Sequence, residues 1–106
     1  MVRGSITLVL VLLQRLAAAD ETAAASERAR QVLKAARCGA CHDTTVSTEN
    51  AKALAVYDLA ERQWSDKMSD EQLPRLMGRL KSAPSADQAV VRKFISAELK
   101  TRAARR

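Results

Sequence analysis

Five consecutive residues carry the most specific chemistry in this sequence: Cys38-Gly39-Ala40-Cys41-His42. Two thiols separated by two residues and followed at once by an imidazole form C-x-x-C-H, the spacing of c-type haem attachment. The chemistry accounts for the spacing. Each thiol adds across one vinyl group of a single haem to make a thioether, and two intervening residues let both sulfurs reach the same porphyrin edge. The adjacent imidazole then lies under the ring, where it can bind the iron from the proximal side. Gly39 and Ala40 are small and leave room for the ring edge. His42 is the only histidine in the chain, so no other imidazole can serve. One covalent haem c is the expected cofactor, with Cys38 and Cys41 binding it and His42 on the metal.

Other uses of the same residues compete. Structural zinc takes four protein ligands, and two cysteines with one histidine fall short; Cys41 and His42 are also sequence neighbours, a poor geometry for sharing one small ion. A thioredoxin-like dithiol belongs in a βαβ context, whereas this chain reads as helical. A plain disulfide between Cys38 and Cys41 stays open in an oxidising compartment.

The elements that must position the motif read as helices. Alanine and leucine dominate the apolar residues, and glycine (3) and proline (2) are scarce. A first helix is expected over about 22–37, with Ala25, Ala29, Val32, Leu33 and Ala36 on one face. Acids come early in it and bases late, as the dipole favours, and Gly39 is its expected stop. A second helix is expected from Ser47 or Thr48 to Tyr57. A third is expected from Asp58, with Glu61 completing a capping pair, carrying Leu59 and Trp64. Ser69 and Gln72 cap a fourth, with Leu73, Leu76, Met77 and Leu80 as its apolar stripe; Pro74 can instead mark its start. Beyond Pro84, Ser85 and Gln88 form a capping box for a last helix that buries Val91, Phe94, Ile95 and Leu99.

At 106 residues the chain has room for one domain. Residues 1–19 read as a signal peptide: Arg3 is the charged start, Ile6 to Leu13 the apolar run, and Ala17-Ala18-Ala19 the small residues for cleavage. Arg15 is an unusual charge there, and Ala23-Ala24-Ala25 is a second candidate cut. The apolar run is short of the ~20 residues that span a bilayer. The expected domains are a signal peptide over 1–19 and a haem domain over 20–106, without a transmembrane span, in the periplasm or otherwise exported. The net charge of +6 includes Arg3 and Arg15, so residues 20–106 carry +4. That is a modest excess without interleaved aromatics, which excludes a nucleic-acid surface. The basic end (Lys100, Arg102, Arg105, Arg106) suits the end of a helix dipole and, on the sharper reading, docking to an acidic partner.

With its motif and helix order in view, the chain resembles the class I cytochrome c family: an N-terminal helix leads into C-x-x-C-H, short helices follow, and an amphipathic helix ends the chain. The resemblance covers residues 22–103, and only the motif is specific. It implies an all-α fold, a small cytochrome c-like bundle of four to five helices around the haem. The first and last helices would meet through Val32 and Leu33 against Phe94 and Ile95. It implies a distal methionine on the metal, for which Met68 and Met77 are the candidates. Both lie closer to His42 than is usual in the family. Met68 reads otherwise as a loop residue, and Met77 as a core residue on its stripe. Trp64 resembles the tryptophan that donates its N–H to a haem propionate, against the alternative of a plain core aromatic. Arg37, Arg62, Arg75 and Arg79 are further propionate candidates. The family's proline, whose carbonyl holds the histidine, has no counterpart, because no proline lies between Asp43 and Leu73. Another carbonyl must do that work.

The function expected is one-electron transfer between redox protein partners by a monomer, without enzymatic activity: no acid/base pair or nucleophile constellation is present. The alternatives are a haem-based sensor or gas-binding module with an open iron position, and an accessory haem subunit of a larger redox complex.

Overall fold

A computed structural model describes residues 21–106, and the expected signal peptide over 1–19 lies outside the described residues. The first described helix, α1, covers 21–35. Ala25, Ala29 and Leu33, spaced four apart, form its buried face. Glu27 accepts from Arg30 and Gln31 on the opposite face, the i+3 and i+4 partners that support an exposed turn.

The stop of α1 differs from the one expected. Arg37, not Gly39, takes the left-handed conformation, with φ 66°. The Cys38 N–H bonds the Leu33 carbonyl and the Arg37 N–H bonds that of Lys34, the pair of bonds of a Schellman cap. Gly39 instead opens the next helix, α2, Gly39–His42. The motif therefore sits immediately after a sharp chain reversal.

After α2 comes α3, Ala51–Val56, shorter than the helix expected from Ser47. The third expected helix, from Asp58, does not form; residues 59–67 run as turns. The physical reason lies in who takes the carbonyls. Leu59 O accepts from Arg30 Nε at 2.7 Å, and Ser65 O accepts from Arg102 Nη2 at 3.0 Å. Side chains of α1 and of the last helix have replaced the local i+4 donors, so tertiary contacts override the local capping signal. The Ser69–Gln72 box forms in both directions, Gln72 N–H to Ser69 Oγ at 3.1 Å and Ser69 N–H to Gln72 Oε1 at 2.9 Å. It leads not into an α-helix but into a 3-10 segment, Leu73–Arg79, with Pro74 in its first turn. The last helix, α4, is Ser85–Ala104. Its expected Ser85–Gln88 box is absent: Pro84 occupies the cap, and Gln88 Nε2 reaches back to Ala83 O at 3.0 Å.

The fold is all-helical, with no strand among the described residues. One core joins Leu33 of α1, Leu59 and Trp64 of the turns, Leu73 and Leu76 of the 3-10 segment, Leu80, and Val91, Phe94 and Ile95 of α4. Val32 packs against it. The expected partners Leu33, Phe94 and Ile95 thus share the core. Leu99 is only partly buried. Among the described residues no helix is long and apolar enough to cross a membrane.

Candidate functional site

Cys38 is αR (φ −61°, ψ −25°) and caps α2, so Cys38, Cys41 and His42 occupy a single helical turn. Positions three and four apart on a helix are neighbours on one face. Both sulfurs are free thiols, Cys38 half-buried and Cys41 exposed. Burial pushes the Cys38 thiol up, against a smaller pull from the Tyr57 hydroxyl and the Arg79 charge. A redox or nucleophilic cysteine needs the opposite shift, toward thiolate.

His42 is half-buried and tightly placed. Its Nδ1 lies 2.9 Å from Ala53 O and 3.2 Å from Tyr57 O. Both neighbours are acceptors, so Nδ1 carries the proton and Nε2 of the neutral ring keeps its lone pair. The nearer of the two carbonyls, that of Ala53, lies at the centre of α3. The ring of Tyr57 stacks on the imidazole, centroids 3.8 Å apart and planes 6° apart.

A closed loop delivers these groups. The Leu59 N–H bonds His42 O at 2.6 Å, tying the two ends of the segment between them. Asp58 adds the second tie, accepting from Thr44 N–H at 3.0 Å, Thr44 Oγ1 at 2.8 Å and Ala60 N–H at 3.0 Å. Burial alone would raise the Asp58 carboxyl, but these donors outweigh it and hold the carboxyl below its ordinary value. Asp43 closes a smaller turn on Thr45. Inside the loop, α3 presents its carbonyl and Tyr57 its ring.

The remaining candidates separate in space. Met68 is buried, and its carbonyl accepts from Arg102 near the end of α4. Met77 is half-buried against the core on the 3-10 segment, two residues before Arg79. Trp64 is buried, and its Nε1–H donates to Ser26 O of α1 at 3.2 Å. Arg37, Arg62, Arg75 and Arg79 are exposed.

Sequence reasoning missed Ala53, Tyr57 and Asp58 as parts of the site. Ala53 contributes only a backbone carbonyl, for which no residue type is diagnostic. Tyr57 was visible as one of three aromatics, at the end of an expected helix. Asp58 was read as a helix cap, and it does accept the Ala60 N–H; its bonds to Thr44 cross 14 residues.

The donor set fits a haem. Two free thiols on one turn and an imidazole with a free Nε2 are what attachment and proximal ligation require. Among the described residues no group of three or more His, Cys, Asp or Glu converges as a metal site made of protein ligands alone would. Comparison with protein-family models, with curated proteins and with solved structures finds no match to this chain.

Proposed function

We propose that this protein is an exported mono-haem c-type cytochrome that transfers single electrons between redox partners. One observation carries the reading: within C-x-x-C-H, the His42 Nδ1–H is held by Ala53 O, which leaves Nε2 to bind iron. Such an outer hydrogen bond fixes the ring and raises its basicity as a ligand. A bound haem supplies a one-electron couple; the chain supplies everything that tunes it. Cys38 and Cys41 would hold the group, His42 would hold the iron, and the loop tied by Asp58 keeps the imidazole from turning. The cytochrome c-like arrangement of helices around the haem belongs to this same proposal.

For the distal side we take Met77, half-buried on the 3-10 segment, over Met68, which is buried and tied through its backbone carbonyl to Arg102 near the end of α4. We expect Met77→Ala to abolish the weak long-wavelength sulfur-to-iron band of the ferric protein and to open the iron to carbon monoxide. Met68→Ala should instead cost packing, about 2–5 kcal/mol for a buried methionine. Loss of the band in Met68→Ala alone would transfer the ligand there. An unmutated protein that is high-spin and binds carbon monoxide at once would remove both methionines and support the sensor reading.

The attachment itself is tested on a denaturing gel. Haem stain should travel with the unmutated polypeptide and vanish in the Cys38→Ala, Cys41→Ala double variant; stain removed from the unmutated chain by acid-acetone would contradict covalent binding. The excess of basic residues points to an acidic partner surface, so exchange rates with that partner should fall as salt rises.

A further inference from the structure

We propose that Tyr57 is a positioning residue for His42, its stacked ring fixing the plane in which the imidazole presents Nε2. The inference deepens the haem reading and rests on it. The bond from Nδ1 to Ala53 O holds the ring at one edge. A contact on the face of the ring adds a second constraint, on its plane. Tyr57 supplies it face-on, with centroids 3.8 Å apart and planes 6° from parallel.

Tyr57 is itself held in the core. Its side chain is buried, with 4% of the residue exposed. Its ring meets Trp64 edge-on at 5.7 Å and 71°, and Trp64 leans on Phe94 at 5.2 Å. The sequence contains one Tyr, one Trp and one Phe, and all three form a single row that starts in the core at α4 and ends on His42. The Tyr57 backbone joins in as well, its carbonyl 3.2 Å from Nδ1. One residue therefore touches the imidazole by ring and by carbonyl. The row transmits the rigidity of the core to a ligand that stands on a single turn of helix.

The orientation of an axial imidazole plane sets the spread of the haem-methyl hyperfine shifts and the anisotropy of the ferric g values, so it can be read without measuring electron transfer. The haem-loaded full chain is compared as unmutated, Tyr57→Phe and Tyr57→Leu forms by NMR and electron paramagnetic resonance. Tyr57→Phe, which keeps the stacked ring, should retain the methyl-shift order and g values of the unmutated protein. Tyr57→Leu should change both. An unchanged pattern in Tyr57→Leu, or an equal change in the two variants, overturns the assignment to the ring. The reduced, diamagnetic unmutated protein gives a check that needs no variant: Overhauser contacts between the His42 and Tyr57 ring protons are expected. Covalent haem without those contacts overturns this inference alone. A chain without covalent haem overturns the haem reading and this inference together.

Discussion

The region where α1 and α4 meet and the loop that surrounds His42 are built by different forces. Between the helices the contacts are apolar: Leu33, Val91, Phe94 and Ile95 are buried with no polar partner to satisfy. Around His42 the contacts are directional. Ala53 O, Tyr57 O, the Leu59 N–H and the Asp58 carboxylate each meet defined hydrogen-bond partners. Hydrophobic burial is strong and tolerant of small shifts in angle; hydrogen bonds contribute less each but fix direction. The helices therefore set whether the domain is folded, and the loop sets where Nε2 points.

That division can be broken from the core side first. Phe94→Ala should cost about 3–5 kcal/mol, the usual loss for an aromatic cut from a packed core. Denaturant unfolding followed by circular dichroism measures it, and a loss below about 1 kcal/mol would place the weight of the fold elsewhere. Because Phe94 supports Trp64 and through it Tyr57, this variant should also loosen the site.

A smaller effect with a sharper signature is expected at Asp58. Asp58→Ala removes the acceptor of Thr44, which is exposed, and of Ala60, which is half-buried, so water can take its place and the loss should be about 0.5–1.5 kcal/mol per bond at most. With haem bound as proposed, it should also shift the spectrum of the iron by freeing the loop, and the shift per kcal/mol of stability lost should exceed that of Phe94→Ala. The pH dependence has a defined sign. The folded Asp58 carboxyl titrates below its unfolded value of ~3.9, so its stabilisation is fully present above that pH. It is lost as the pH falls through the folded value. The stability gap between the unmutated protein and Asp58→Ala should accordingly close below about pH 4 and stay constant at neutral pH; a gap that widens on acidification would contradict the assigned direction.

The smallest change is a gain. Arg37 holds φ 66° at the end of α1, a conformation that costs a side chain about 1–2 kcal/mol. Arg37→Gly removes that cost and adds some unfolded-chain entropy, for a net gain of about 0.5–1 kcal/mol. Thermal melting checks it. No gain would mean that the Arg37 side chain contributes elsewhere as much as its backbone costs.

Much of this comparison was readable along the chain, and unevenly. The apolar faces of α1 and α4 followed from spacing, because a helix buried on one side must repeat its apolar residues at that period. The Ser69–Gln72 box was equally plain, since it is a contact within one turn. The loop was harder. The turns at 59–67 are held by Arg30 and Arg102 on the carbonyls of Leu59 and Ser65, contacts across 29 and 37 residues that no local signal announces. The stop at Arg37 lacked the glycine that usually marks one. For the site, C-x-x-C-H named the two thiols and the imidazole, and the expectation of a backbone carbonyl on the imidazole came only from the resemblance. Which carbonyl depended on the folding of the loop, and Ala53 has no side-chain chemistry to reveal it.

The central claim is that Cys38 and Cys41 together hold one haem, and the intact mass of the protein purified from the exported fraction tests it most directly. The account predicts the polypeptide from Asp20 onward plus one haem, unchanged by acid-acetone, with no free thiol left to alkylate. A mass equal to the bare polypeptide, or to the polypeptide less two hydrogens as in a Cys38–Cys41 disulfide, would contradict it.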